Sequence, residues 1–139
     1  MLRLLIEQSV RAALIEDLGR AGDITTEAIV PHEAVAEAEI VARQPGVLAG
    51  LDAALLAFEL VDPGLRTERL RADGARISRG EIVARITGGA RGMLAAERTA
   101  LNFLCRLSGV ATATRTLAPF GPSARSTMIG HCGPRKGLA

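Results

Sequence analysis

Val35-Ala36-Glu37-Ala38-Glu39-Ile40-Val41-Ala42-Arg43 alternates apolar and charged residues with a period of two. Glu37, Glu39 and Arg43 fall on one face, and Ala36, Ala38, Ile40 and Ala42 on the other, which predicts a half-buried β-strand. Upstream, Leu2, Ile6, Val10, Ala13, Leu14 and Leu18 recur every three or four residues. That is one stripe of an amphipathic helix, with Gly19 placed to stop it as a left-handed C′ residue. Between helix and strand lie Gly22-Asp23-Ile24-Thr25-Thr26 and Pro31, which favour turns and caps. Downstream, Pro45-Gly46 marks a turn and Val47-Leu48-Ala49-Gly50 a short strand continuation. Leu51 to Val61 is helical by composition and ends before Pro63-Gly64. Leu65 to Leu70 and Ile82 to Ile86 read as strands, with the hairpin signal Asp73-Gly74 and then Arg79-Gly80 between them. The fold class is therefore α+β, with an antiparallel sheet and two helices in the N-terminal part.

A second long helix is predicted over about Met93 to Leu107, continuing after Ser108-Gly109 into Val110 to Leu117. Leu94, Ala95, Ala96, Ala100, Leu101, Phe103, Leu104 and Leu107 make it apolar nearly all round. Arg98, Asn102 and Arg106 interrupt this surface at i, i+4 and i+8, one narrow polar stripe. Such a helix is expected to be covered by another domain or subunit, and otherwise to expose an apolar surface along Leu94 to Leu107. The last stretch holds Pro119, Gly121 and Pro122, then a short candidate strand over Ser126 to Gly130. The ending, Gly133 to Ala139, does not read as a closing element, and the chain reads as the front of something longer.

Composition narrows the function classes. The chain has 139 residues, enough for one domain, with a hydrophobic fraction of 48%, a charged fraction of 23% and net charge +2. That excludes a wholly disordered chain and gives no electrostatic case for nucleic acid or membrane binding. No apolar run reaches the ~20 residues of a membrane helix, and the N-terminus is charged too early for a secretory signal. With no Trp or Tyr and three Phe, stacking platforms for single-stranded nucleic acid are missing. Cys105 and Cys132 make no disulfide framework, so the expected compartment is the cytoplasm.

Each candidate site residue has a plain structural reading beside a functional one. Glu16, Asp17 and Asp23 lie near a Gly-rich turn, but their spacing fits no cation loop and capping is the better account. His131-Cys132 is a soft-ligand pair too small for a zinc site, Cys105 reads as a small core residue, and His32 as a solvated side chain. Asp73 to Ala84 resembles the hammerhead hairpin of lipoyl and biotinyl carriers, yet it lacks the lysine those carriers present at the tip. Arg98 stands out, because an arginine on a mostly buried helix must be ion-paired or lie in a solvated site. Its pairing partner would be Glu97 or a sheet carboxylate. Its functional role would be bidentate recognition of an anion such as a carboxylate.

Four blocks in order carry a family resemblance over about residues 5 to 118. They are Glu16-Asp17-Leu18-Gly19 with Gly22-Asp23-Ile24-Thr25-Thr26; Ala42-Arg43 with Gly46-Val47-Leu48-Ala49-Gly50; Ala72-Asp73-Gly74 to Gly80; and Ala96-Glu97-Arg98-Thr99-Ala100-Leu101-Asn102-Phe103-Leu104 running on to Thr114. Together they resemble quinolinate phosphoribosyltransferases, the carboxylating nicotinate-nucleotide pyrophosphorylases. The resemblance implies an N-terminal α/β sandwich with a hammerhead motif, here residues 1 to 110, and the truncated start of an α/β barrel over 111 to 139. It implies transfer of phosphoribosyl from phosphoribosyl pyrophosphate to quinolinate with decarboxylation, giving nicotinate mononucleotide, pyrophosphate and CO2 for NAD synthesis. Mg2+ is the implied cofactor, accompanying the pyrophosphate. The implied assembly is a homodimer or higher homo-oligomer in which one subunit's N-terminal domain covers the other's barrel mouth. Arg98 then reaches the quinolinate site of the neighbouring subunit. Family members continue with a Thr-Arg-Lys-Thr segment that binds substrate anions. Arg135 and Lys136 match it, whereas Pro134 and Gly137 do not. Most of the barrel lies outside the 139 residues, so the chain alone is expected to be inactive. A non-catalytic dimerisation module and a related molybdate-cluster pyrophosphorylase-like protein are the alternatives, and the Ala-Glu-Arg-Thr-Ala-Leu-Asn block favours the quinolinate branch.

Overall fold

The computed structural model describes residues 3–21, 30–117 and 133–137. Its elements run α1 (Arg3–Ala21), β1 (Val35–Val41), β2 (Gly46–Val47), α2 (Leu51–Val61), β3 (Arg66–Arg69), β4 (Arg76–Ile77), β5 (Ile82–Gly89), α3 (Ala90–Leu117) and β6 (Gly133–Gly137). Four strands form an antiparallel sheet in the order β3-β5-β1-β6, and β2 and β4 form a separate two-stranded sheet.

The alternation of β1 does what its period requires. Ala38 and Ile40 are buried, while Glu37 and Glu39 face the open side. On that side Arg85 of β5 bridges Glu39 at 3.2 Å and Glu68 of β3 at 3.8 Å, a ladder of charges across three strands. The β1–β5 register shifts between Ile40 and Val41, a bulge that lets both Val83 and Ala84 turn inward. These inward residues join one apolar cluster with Val10 and Leu14 of α1, nearly the whole of α2, and Met93, Ala96, Ala100 and Leu104 of α3. Helix α2 is the centre of that cluster, with every residue from Ala53 to Phe58 buried.

Several expectations are corrected. Helix α1 runs through Gly19 to Ala21, since an exposed glycine inside a helix costs about 1 kcal/mol without ending it. Asp73-Gly74 does form a turn, with the Ala75 N–H donating to the Ala72 carbonyl at 3.1 Å. The two expected strands that flank it, β3 and β5, do pair antiparallel, but the short β4 between them leaves that pair and joins β2. Helix α3 begins at Ala90, directly after β5, and is continuous across Ser108-Gly109. The Ser108 hydroxyl is engaged with Ala49 of the β2 loop and so does not compete with the helix. Residues Gly133–Gly137 close the sheet as its fourth strand on the free edge of β1. The candidate strand at Ser126 to Gly130 lies outside the described residues.

Helix α3 is also less enclosed than its composition suggests. Met93, Ala96, Thr99, Ala100, Leu104 and Ser108 are buried by α1, α2 and the sheet, while Leu94, Ala95, Leu101, Phe103 and Leu107 are half-buried. The strongly exposed large apolar side chains among the described residues lie outside Leu94 to Leu107: Leu4, Leu5 and Ile15 on α1, Val35 on β1, and Val110 further along α3.

Candidate functional site

The polar stripe of α3 is exposed at all three positions, Arg98, Asn102 and Arg106. Helix α1 packs beside it, leaving a cleft of about 360 Å³ lined by Ala13, Glu16, Asp17, Thr99, Asn102, Phe103 and Arg106. Arg98 stands next to this cleft. Its Nη1 lies 3.6 Å from Asp17 Oδ1, and its side chain is 72% exposed against 25% for Asp17. Asp17 Oδ2 accepts from the Thr99 hydroxyl at 3.5 Å. The ion-pair partner that the described residues give Arg98 thus comes from α1. Asp17, read from sequence as a capping acid, lies within α1 and pairs with Arg98 instead; 81 positions separate the two, and local spacing carries no sign of the pairing.

An ion pair this exposed contributes about 0–1 kcal/mol to stability. Arg98 is therefore not held in place as a buried structural cation. At 3.6 Å the contact with Asp17 is an ion pair longer than a hydrogen bond, and a guanidinium presented this way fits an incoming carboxylate or phosphate.

A second cleft, of about 400 Å³, lies between α1, α2 and β3. Its charged groups already neutralise each other, Arg3 with Glu59 at 3.1 Å and Arg69 with Asp52, so it offers no free charge to a ligand. Among the described residues no group of three His, Cys, Asp or Glu side chains gathers to hold a metal, and no helix is long and apolar enough to cross a membrane. Asp23 and His131-Cys132 lie outside the described residues. His32 is exposed as expected, but its ring lies 3.1 Å from Arg91 Nη1. Cys105 is partly buried on α3.

Arg135 and Lys136 sit on β6, at the edge of the sheet, where they register with Glu39 and Ala38 of β1. Arg98 belongs to a different element, α3, and faces α1. The β2–β4 hammerhead connects to the same helix as Arg98. The Ser108 hydroxyl accepts from the Ala49 N–H and donates to the Ala49 carbonyl, each at 3.0 Å, and Thr112 Oγ1 accepts from the Val47 N–H at 2.9 Å. Gly46 and Gly50 permit this close approach. A Cβ on Gly46 would come within 2.7 Å of Thr112 Oγ1, and one on Gly50 within 2.7 Å of Leu107 Cδ1.

Comparison with known proteins agrees with this architecture. The family model "Quinolinate phosphoribosyl transferase, N-terminal domain" matches residues 23–108. The carboxylating nicotinate-nucleotide pyrophosphorylase of Mycobacterium leprae is 45% identical over 108 residues, covering 76% of this chain and 38% of its own length. The chloroplastic carboxylating enzyme of Arabidopsis thaliana is 39% identical over 109 residues, covering 78% of this chain and 31% of its own. Among solved structures, the nicotinate-nucleotide pyrophosphorylase of Francisella tularensis superposes with a TM-score of 0.78 at 29% identity, over 86% of this chain and 41% of that one. NadC from Streptococcus pyogenes superposes with a TM-score of 0.81 at 36% identity, over 86% and 42%. The chain thus spans about a third of the length of the curated relatives it matches. The matched span takes in β1, the hammerhead, α2, β5 and the Arg98 helix as far as residue 108, and on that ground the chain belongs to the quinolinate phosphoribosyltransferase family, whose N-terminal domain it carries.

Proposed function

We propose that this chain is the N-terminal, substrate-covering part of a quinolinate phosphoribosyltransferase. In that role it presents Arg98 to the quinolinate bound in the barrel of a neighbouring subunit. The observation that carries the proposal is the exposure of Arg98 at 72% on a helix whose opposite face, Met93, Ala96, Ala100 and Leu104, is packed into the core. Quinolinate brings two carboxylates and phosphoribosyl pyrophosphate brings several phosphate charges. Cations must hold these anions together against their repulsion. Arg98 supplies one from this domain, whereas Arg135 and Lys136, the match to the family's anion-binding segment, lie on β6 of the N-terminal sheet and not in a barrel strand. Decarboxylation needs only the positive ring nitrogen formed by the transfer, so no nucleophilic side chain is required of this domain. Magnesium enters with the pyrophosphate of the substrate, where it would stabilise the leaving charge. The assembly is a homodimer or higher homo-oligomer, acting in the cytoplasm.

The test is an assay of nicotinate mononucleotide formation from both substrates and magnesium. The chain joined to the barrel of the Mycobacterium leprae relative is expected to turn over, and the 139-residue chain alone is not. Turnover by the chain alone would overturn the proposal, and so would a folded, assembled chimera without activity.

A further inference from the structure

We infer that Asp17 is a positioning residue for Arg98, with Thr99 fixing the Asp17 carboxylate. The inference rests on the assignment of Arg98 to substrate binding and adds to it the group that sets the guanidinium's orientation. Thr99 is 3% exposed and immediately follows Arg98 on α3. Its hydroxyl donates to Asp17 Oδ2 at 3.5 Å, while Asp17 Oδ1 faces Arg98 Nη1 at 3.6 Å. The two oxygens of one carboxylate thus divide between an anchor and a cation. The anchored oxygen is on the buried side, and the cation lies on the open side.

The arrangement suits binding better than it suits folding. A pair this exposed adds little stability, so the fold does not depend on it. An unpartnered arginine samples many rotamers, and a ligand must then freeze them. A carboxylate that engages one Nη leaves the remaining donors directed outward and reduces that cost. Asp17 comes from α1 and Arg98 from α3, so the orientation of the guanidinium also depends on how the two helices pack. Asp17 does not itself touch substrate, since its own charge would repel a quinolinate carboxylate.

The test has two arms. In the 139-residue chain, 15N relaxation of the Arg98 Nε–Hε group reports side-chain order. Asp17→Asn should lower that order, Thr99→Val should lower it less, and Asp17→Glu should retain part of it. Equal order in wild type and Asp17→Asn would overturn the inference. In the chimera with the Mycobacterium leprae barrel, Asp17→Asn should raise KM for quinolinate about 2- to 5-fold. The kcat and the KM for phosphoribosyl pyrophosphate should not change. In an Arg98→Lys background the Asp17→Asn effect should disappear. If Arg98→Lys leaves the quinolinate KM unmoved, the substrate role of Arg98 fails, whatever the relaxation arm shows. If Arg98→Lys raises KM and Asp17→Asn does not, only the positioning role fails. A lower KM in Asp17→Asn would mean that Asp17 competes with substrate for Arg98, and would also overturn it.

Discussion

Gly50, at the end of the segment that follows β2, packs tightly against the Arg98 helix, and replacing it by alanine separates two physical costs. Its φ is +83°, a left-handed conformation, and an added Cβ would meet Leu107 Cδ1 at 2.7 Å, Leu107 Cβ at 3.0 Å and the Phe103 carbonyl oxygen at 3.1 Å. Gly74 has nearly the same φ, +88°, with nothing within 4 Å of an added Cβ. Both substitutions pay left-handed strain of about 1–2 kcal/mol, offset by about 0.4–1 kcal/mol from the stiffer unfolded chain. Gly74→Ala should therefore destabilise by about 0.5–1 kcal/mol. Gly50→Ala adds overpacking, typically about 1–3 kcal/mol, because a side-chain methyl can rotate away but Leu107 Cβ and a helix carbonyl cannot. Its total should be about 2–4 kcal/mol. Urea unfolding followed by far-UV circular dichroism measures both, since the chain has no Trp or Tyr for fluorescence. Equal losses at the two positions would refute the claim that the hammerhead packs directly on this helix.

Other outcomes follow from the same contacts. Ser108→Ala removes both hydrogen bonds to the Ala49 backbone and should cost about 1–3 kcal/mol in the same unfolding assay. Glu81 accepts from Arg71 Nε at 3.0 Å and from the Ser78 N–H at 3.1 Å, and chiefly the Arg71 bond holds its carboxyl below the usual range. That contribution to stability is present above the ordinary value of 4.5 and is lost as pH falls through the lowered folded value. Arg71→Gln should move the Glu81 titration, followed by carboxyl NMR, back up toward the ordinary value.

The β1 alternation and the helical stripes were legible because each burial pattern is local: Ala38 and Ile40 inward, Val10 and Leu14 inward. The polar stripe of α3 was legible for the same reason, and Arg98, Asn102 and Arg106 are all exposed. What escaped depends on residues distant in sequence. Asp17 meets Arg98 across 81 positions, and β4 chooses β2 over its sequence neighbour β3. Ser108 looked like a helix interruption until its hydroxyl was seen to bond Ala49, 59 residues away. The pairing of β6 with β1 was hidden because Gly133-Pro134 and Gly137 are poor strand formers, so composition argued against a strand.

The central claim is that this domain contributes Arg98 to quinolinate recognition, and its most direct measurement is kcat/KM for quinolinate in the chimera with Arg98→Ala. The account predicts a fall of roughly 30- to 1000-fold, or about 2–4 kcal/mol of transition-state binding, with phosphoribosyl pyrophosphate use less affected and folding intact. An Arg98→Ala enzyme that unfolds while its folded fraction keeps full quinolinate affinity would contradict the account, and would make Arg98 a structural ion-pair residue.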